Sequence, residues 1–502
     1  MRLRPLIATL LMALVALPAP AQGLPDLGDA SSASLSDQQE RTIGNRIMRD
    51  VRIDPAYLDD PEVSDYVSSL GARLLSVAEG SRKDIDFFVV QDESVNAFAL
   101  VGGHIGVHTA LILLTQNESE LAGVMAHELA HVLQKHQARM VHGASRTQWT
   151  SLAALALAIL ASRGGGSQSG QITEAAVATA SALQIQNQID YTRDHEREAD
   201  RVGLTLLDRA GFDPRGMATL FERLLRSNRL NELKGAPSYL RTHPLTTERI
   251  ADMQGRLEDT PARMVPDSFE YRLARARLRA NTGSGTEAVA LFRTILEDKG
   301  VLRPREEIYG LALAQRRARD LDGAWKTLET IRASRIEARA LPVMGIAVPP
   351  HPAFEILAGQ LKADMGRHDE ALSIYRAALK RNPSYRALAY AYLDELLQTG
   401  QPKEVLADLE ERLRTVQDDA RLYELQARAF EASGRRIAQH RSQGEAYFRK
   451  GNLAAAVDQL ELAVKQTRGS DFYEMSIAES RLRELRSLLE NERAAEKALK
   501  IT

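Results

Sequence analysis

Several absences limit what this chain can be. The 502 residues include no cysteine, which excludes disulfide bonds and an N-terminal lipoprotein cysteine. Aromatic residues make up only 5% of the chain, whereas Ala, Leu, Arg and Glu are abundant, and this composition favours a mostly helical protein. The formal net charge is −2, so no basic excess indicates a nucleic-acid partner. Long apolar runs are also missing, and we expect no transmembrane segment in the mature chain.

The apolar runs that do occur are short. Residues 6–17 follow the basic residues Arg2 and Arg4 and precede Ala19-Pro20-Ala21, which predicts a secretory signal peptide over residues 1–21. A membrane anchor is the alternative, but spanning a bilayer requires about 20 apolar residues. Export without cysteine is compatible with the bacterial periplasm, which is the predicted location. Residues 152–161 form a second run, which we expect to pack in the core, with peripheral membrane contact left open.

The chain is too long for one hydrophobic core. We predict a first domain at residues 22–262 and a second at 263–502, with the boundary near Thr260-Pro261. The first domain begins with two helical patterns, followed by β-branched and aromatic segments that predict a small sheet. These patterns cover residues 37–51 and 62–78 for the helices, and 84–92 and 96–107 for the strands.

The second domain shows an internal repeat. Gly366, Gly400 and Gly434 are 34 residues apart, which is the period of the tetratricopeptide repeat. That repeat has a small residue seven positions before the glycine, and Leu393 departs from this pattern. We predict an α-helical superhelix over residues 263–502, irregular around residues 342–352, with a concave surface that binds proteins. The fold class is therefore mainly α: an α+β domain with a small sheet, followed by the superhelix.

A five-residue motif carries the chemistry of the first domain. Residues 127–131 are His-Glu-Leu-Ala-His, and the helix that contains them has a capped start at Asn117 with Glu120 three residues later. On a helix, His127 and His131 lie on one face and can bind one metal ion. Glu128 can then act as general base toward a water molecule at the metal. The motif alone leaves coincidence open, so a third ligand is needed.

The best candidate for that ligand lies near residue 196. Glu196 and Asp200 are four residues apart in a helical segment, so Glu196 can complete a two-His, one-Glu site. Asp200 can accept the outer ring N–H of a ligating histidine and fix its tautomer. The alternative is an ordinary charged, solvated helix face. Among the other histidines of this domain, we expect His195 to be incidental and His136 and His142 to be exposed. We also expect His104 and His108 to be exposed, and a place along the substrate edge is the alternative for these two.

These residues resemble peptidase family M48. The resemblance rests on the histidine motif, on Glu196-Arg197-Glu198-Ala199-Asp200, and on Asn96-Ala97-Phe98-Ala99 with Gly102-Gly103. Val101 stands where the family often has proline. The resemblance implies a zincin-like fold and one Zn²⁺ per chain, with three metal ligands, a catalytic base and a supporting carboxylate that is sometimes assigned as proton donor. By this resemblance, the metal ligands are His127, His131 and Glu196, the catalytic base is Glu128, and the supporting carboxylate is Asp200.

With a signal peptide in front and repeats behind, the resemblance also implies a function. We expect a periplasmic zinc metalloendopeptidase that degrades misfolded or stalled outer-membrane proteins and assists their assembly. Its partners would be unfolded or misassembled proteins and, through the repeats, the outer-membrane β-barrel assembly machinery. One alternative is a chaperone or assembly scaffold in which proteolysis is secondary. Another is a zinc enzyme with a non-peptide substrate. The strand near residues 96–99 argues against it, because we expect a peptide substrate to lie extended along this strand and to add to the sheet.

Two further candidates follow the Glu196 segment. Pro244 biases His243 toward an extended backbone, so His243 could reach the fourth metal position and act as a gate that leaves the enzyme latent. Arg249 could approach the reaction centre and stabilise an oxyanion. A simple helix-capping turn at His243-Pro244 is the alternative.

Overall fold

A computed structural model describes residues 37–79, 84–137, 182–230, 238–298, 304–332, 350–466 and 472–501. The predicted signal peptide, the apolar run at 152–161, His142 and most of the irregular stretch at 342–352 lie outside these ranges, so they stay predictions. Within the described ranges, no helix has the length and apolar character needed to cross a bilayer.

The N-terminal part surrounds a small sheet with helices. In the described residues the strands β1 (Asp86–Val90), β2 (Ala97–Leu100) and β3 (His104–His108) form one sheet in the order β1-β3-β2. β1 pairs in parallel with β3, with Phe87 opposite Ile105, and β2 pairs antiparallel with β3, with Phe98 opposite Gly106. The helices described in this part are, in chain order, α1 (Asp37–Ile53), α2 (Pro61–Leu75), α3 (Thr109–Leu114), α4 (Glu118–Leu133), α5 (Ala182–Arg209), α6 (Arg215–Leu230), α7 (Ser238–Thr242) and α8 (Thr247–Arg256).

The predicted helices and strands of this part agree with the structure to within a few residues. The motif helix α4 begins where the capping pattern places it: the Asn117 side chain accepts a hydrogen bond from the Glu120 N–H. Such a cap satisfies one of the free N–H groups of the first turn. The helix that carries Glu196 is followed by Gly211, whose φ of 79° is the left-handed conformation that ends many helices.

The helix α4 lies at the centre of the first domain. It packs against α5 and α6 and against β2, and every residue from Glu118 to Val132 is buried. Gly123 and Gly216 allow the close approach of these helices, because a Cβ at Gly123 would lie 2.9 Å from Met217 Cα and one at Gly216 would lie 2.7 Å from the Ser119 carbonyl carbon. A helix that is buried on all sides can hold polar side chains away from water, and the motif residues are held in this way.

The C-terminal part is a stack of helix pairs, as the repeat predicts. Gly366, Gly400 and Gly434 end the first helix of three successive pairs with φ values of 74°, 70° and 72°. The helices are α9 (Phe269–Asn281), α10 (Gly285–Asp298), α11 (Arg305–Arg317), α12 (Leu321–Arg332), α13 (Pro352–Asp364), α14 (His368–Arg381), α15 (Arg386–Gln398), α16 (Pro402–Thr415), α17 (Ala420–Ala432), α18 (Arg436–Arg449), α19 (Leu453–Val464) and α20 (Phe472–Ile501). The predicted fold class, mainly α with a small sheet and a helical superhelix, is confirmed.

The structure explains why Leu393 departs from the repeat pattern. A Cβ at Gly359 would lie 2.2 Å from the Tyr375 ring, so the small residue leaves room for a large one on the next helix. At the equivalent positions 34 residues later, the chain has Leu393 and Leu409, both fully buried in the same core cluster. A larger residue on one helix is therefore matched by a smaller one on the other, which conserves the packed volume.

The first repeat helix, α9, belongs to both domains. Tyr271, Ala274 and Leu278 lie in the core of the first domain, while other α9 residues, Leu273, Ala276 and Ala280, lie in the core of the repeats. The predicted division at residues 262 and 263 falls in the linker before α9, and the hydrophobic core continues across it. At the other end of the superhelix, α20 approaches α1, where Arg49 lies 3.7 Å from Glu492.

Candidate metal centre

The buried helix α4 supplies three of the predicted site residues. His127 is completely buried, Glu128 is 1% exposed and His131 is 6% exposed. The two imidazoles face each other one turn apart, with 3.1 Å between their Nε2 atoms. This arrangement follows from the helical period, which places residues four apart on one face.

The helix α5 packs against α4 and places a carboxylate opposite the two imidazoles. Glu196 is 3% exposed, and its two oxygens lie 3.4 Å from His127 Nε2 and 3.4 Å from His131 Nε2. Ligand atoms about 2.1 Å from a tetrahedral zinc ion are about 3.4 Å apart. The distances between these three groups therefore fit a shared metal ion, and the donor set of two imidazoles and a carboxylate suits the chemistry of zinc.

Asp200 lies behind His127 in the position predicted for it. Its Oδ1 is 3.0 Å from His127 Nδ1, and that contact leaves Nε2 of the ring directed toward Glu196. The guanidinium of Arg249 donates two hydrogen bonds of 2.7 Å to the Asp200 carboxylate and lies 2.8 Å from Glu196 Oε2. Arg249 is only 3% exposed, so it balances the charge of two buried carboxylates. Its predicted role toward an oxyanion stays a prediction.

His243 lies at the same centre. Its Nδ1 is 3.0 Å from Glu196 Oε1, and its Nε2 is 3.4 Å from Glu128 Oε1. One ligand atom from each of His127, His131, Glu196 and His243 lies within 4.8 Å of the others. The Tyr239 ring stacks on the His243 ring with 4.7 Å between centroids. In the described residues Glu128 Oε1 has no hydrogen-bond donor, so the candidate base and the candidate fourth ligand face the same point.

Burial and neighbouring charges shift the ionisation of the site in opposite directions. Burial would lower the pKa of His127, but the Asp200 and Glu196 carboxylates outweigh it and raise that pKa to about 9. Burial lowers the pKa of His131 to about 3, although Glu196 opposes the shift. The pKa of Glu196 is held well below its usual range by His243 and by the two motif histidines, against the effect of burial. Strong shifts of this kind are typical of functional sites.

The expected exposure of His136 is wrong. His136 is fully buried and 2.8 Å separate its Nδ1 from His131 Nδ1. The helix α4 ends at Leu133 and Lys135 has a left-handed φ of 52°, so the helical period does not continue unbroken to residue 136. That turn directs His136 back toward the site. His195, expected to be incidental, is 5% exposed and stacks on the His136 ring.

The expected exposure of His104 and His108 is also wrong. They are 8% and 1% exposed, because β3 is the central strand of the sheet and α3 and α4 contact it. His104 Nδ1 forms a hydrogen bond with the Asp86 carboxylate, and His108 Nδ1 lies 3.0 Å from the Ser94 carbonyl oxygen. The order of strands in the sheet, which would have revealed this burial, cannot be derived from the strand sequences alone.

Comparisons with known proteins agree with this geometry. The sequence pattern of peptidase family M48 matches residues 61–257, and that of a tetratricopeptide repeat matches residues 362–429. The chain is 33% identical over 477 residues to the beta-barrel assembly-enhancing protease of Escherichia coli (strain K12), covering 94% of this chain and 92% of that one.

Two further relatives are similar over shorter lengths. A putative beta-barrel assembly-enhancing protease of Vibrio cholerae is 40% identical over 272 residues, which cover 53% of this chain and 54% of the relative. The mitochondrial metalloendopeptidase OMA1 of Schizosaccharomyces pombe is 30% identical over 189 residues, which cover 38% of this chain and 51% of the relative. The chain thus belongs to peptidase family M48 and is a metal-dependent endopeptidase that carries tetratricopeptide repeats.

Proposed function

We propose that the protein is a zinc-dependent endopeptidase of the periplasm, and that its clients are outer-membrane proteins during assembly. The observation that carries the zinc assignment is the set of three buried ligands, whose donor atoms lie 3.1–3.4 Å apart. We assign His127, His131 and Glu196 as ligands, Glu128 as catalytic base and Asp200 as the supporting carboxylate.

The residues around the metal position have separate roles in the reaction. When bound, zinc supplies Lewis acidity, which lowers the pKa of a water molecule and polarises a peptide carbonyl. Glu128 accepts the proton of the attacking water and delivers it to the leaving amine. Asp200 holds His127 with its Nε2 toward the centre, and Arg249 holds Asp200 in turn.

Substrate has a surface to bind next to these groups. β2 is an edge strand of the sheet in the described residues and packs against α4. An extended peptide can add to such an edge through main-chain hydrogen bonds. The strand that the sequence predicts as the substrate edge, residues 96–99, therefore lies beside the helix that carries the catalytic base.

His243 supports a latent state of this enzyme. It lies 3.4 Å from Glu128 and 3.0 Å from Glu196, where it can take the fourth metal position and exclude water. The Tyr239 N–H donates to the Val95 carbonyl, which fixes α7 beside the start of β2. We propose that displacement of α7 opens both the metal position and the sheet edge. His243→Ala should raise basal proteolysis and self-cleavage, and Glu128→Gln in the same chain should abolish both.

The location and the clients rest on two lines of support. The predicted signal peptide favours export, and the relative that matches 94% of this chain is called a beta-barrel assembly-enhancing protease. We assign residues 22–262 to the peptidase and 263–502 to the repeats, with α9 shared between the two cores. We further propose that the repeats recruit client proteins and the outer-membrane β-barrel assembly machinery to the protease.

Metal content and casein cleavage test the enzyme assignment directly. We expect about one zinc per chain in the wild type and in Glu128→Gln, with hydrolysis lost only in the variant, because the variant removes the base and keeps the ligands. Glu196→Ala should lose zinc, and stoichiometric zinc in that variant would show that the third ligand is misassigned. If Glu128→Gln still supports outer-membrane protein assembly in cells, the repeats act as a scaffold and proteolysis is secondary.

A further inference from the structure

A second buried histidine lies against the outer nitrogen of the ligand His131. His136 is fully buried, and its Nδ1 is 2.8 Å from His131 Nδ1. On the opposite side of the His136 ring, Nε2 lies 3.1 Å from Glu198 Oε2. The three groups thus form a line from Glu198 through His136 to His131, which ends at the candidate metal position.

Ligation fixes the direction of the hydrogen bonds along this line. A histidine that binds a metal through Nε2 keeps its proton on Nδ1. His131 must therefore donate from Nδ1, and His136 Nδ1 must accept. The proton of a neutral His136 then lies on Nε2, from which it donates to the Glu198 carboxylate. Each donor in the line has one acceptor, and no other arrangement of protons on the neutral rings satisfies both hydrogen bonds and leaves His131 Nε2 available as a ligand.

The ring plane of His136 is also held. His195 stacks on it with 4.2 Å between centroids and an angle of 10° between planes. His195 directly precedes the ligand Glu196 in α5, and Glu198 follows two residues later. The segment that provides the third ligand therefore provides both groups that orient His136.

We propose that His136 is a positioning residue for the metal ligand His131: held by Glu198 and His195, it accepts the His131 Nδ1–H and so keeps His131 Nε2 directed at the metal. The inference rests on the proposed zinc site. It gives His131 an outer partner equivalent to Asp200 at His127, where the distance is 3.0 Å. Such outer partners fix the tautomer and the orientation of a ligating ring, and their loss reduces metal affinity about 10–100-fold.

Two substitutions of His136 separate its hydrogen bond from its packing. His136→Phe keeps a ring against His195 and removes the acceptor. His136→Asn removes the stacked ring but places an amide oxygen near the former Nδ1 position. We expect the Phe variant to bind zinc about 10–100-fold more weakly in competition with a chelator, and the Asn variant to recover most of that affinity. Glu198→Ala should cause a smaller loss, since the Glu198 side chain is 40% exposed.

The full-length chain in the Glu128→Gln background avoids self-cleavage during these measurements, and thermal unfolding without zinc reports whether each variant folds. Wild-type affinity in His136→Phe, or equal losses in the Phe and Asn variants, would overturn the proposal. If His136→Phe does not fold, the Asn variant and Glu198→Ala decide: wild-type affinity in Glu198→Ala combined with a 10–100-fold loss in the Asn variant would also overturn it. A parent chain that binds no zinc would instead refute the zinc site itself.

Discussion

Removing the repeat domain at its predicted boundary should unfold the peptidase domain. A chain that ends at residue 262 loses Tyr271 and Leu278, which are 0% and 6% exposed in the peptidase core. It also loses Ser268, whose N–H and hydroxyl donate to the buried Glu118 carboxylate at 2.9 and 2.7 Å. Glu118 is the first residue of α4, so the damage occurs at the start of the helix that carries the motif.

The expected cost is comparable with the stability of a whole domain. Burial of a large apolar side chain contributes about 1.5–3 kcal/mol, so the loss of Tyr271 and Leu278 costs about 4 kcal/mol. Leaving a buried carboxylate without these donors costs about 2 kcal/mol more. Together the loss is about 6 kcal/mol, and domains are typically stable by about 5–15 kcal/mol.

A matched pair of truncations measures this effect. The control ends at Asp298, after α10, and keeps Ser268, Tyr271 and Leu278. Thermal unfolding followed by circular dichroism should show a cooperative transition for the control and a broad or strongly lowered one for the chain that ends at residue 262. Equal transition temperatures in the two chains would refute the shared core. A full-length Tyr271→Ala variant, expected to lose about 3–5 kcal/mol, gives an independent measurement.

Three further predictions concern single residues. Asp200→Ala should weaken zinc binding about 10–100-fold, because His127 loses its partner and the buried Arg249 loses two hydrogen bonds; unchanged affinity in chelator competition would contradict this role. Burial raises the pKa of Glu62 to about 7 although Arg277 opposes the rise. The contribution of this carboxyl to stability is therefore fully present at pH values below its pKa in the unfolded chain, and it is lost as the pH rises through about 7. In urea unfolding, the free energy of unfolding of Glu62→Gln should therefore exceed that of the wild type by an amount that grows between pH 5 and pH 8, up to about 3 kcal/mol. A difference that stays constant with pH would exclude the raised pKa. Gly400→Ala should destabilise the chain by about 1 kcal/mol in the same assay, because a φ of 70° disfavours a side chain. Nothing lies within 4 Å of the added Cβ, so a gain in stability would contradict the left-handed conformation.

The sequence was sufficient wherever a local rule decides the structure. The cap at Asn117 and the glycines that end repeat helices depend on a few neighbouring residues, and the structure has them where the pattern predicts. The pairing of Glu196 with the motif histidines is a long-range contact, and it followed from chemistry: two imidazoles four residues apart need a third ligand. The structure places these three groups at ligand distances.

Local rules failed at the ends of elements and across the sheet. The helical period puts His136 away from His131, yet the left-handed backbone at Lys135 breaks the helix and the two rings come together. Period-two alternation cannot say whether a strand is central, so the burial of His104 and His108 was missed. The shared helix α9 was missed for a similar reason: its two apolar faces serve different cores, and repeat periodicity reports only one of them.

Glu196, the proposed third metal ligand, contacts both His243, the proposed gate, and Arg249. Its Oε2 lies 2.8 Å from Arg249, and its Oε1 lies 3.0 Å from His243, so each oxygen has a charged or polar neighbour besides the two motif histidines. The other ring nitrogen of His243 lies 3.4 Å from Glu128. Displacement of this single imidazole would remove its contacts with the third ligand and uncover the carboxylate of the base in the same step. Arg249 would still hold the other Glu196 oxygen in place. A latent and an active state would then differ at His243 and α7, while the ligand framework built by α4 and α5 stays fixed.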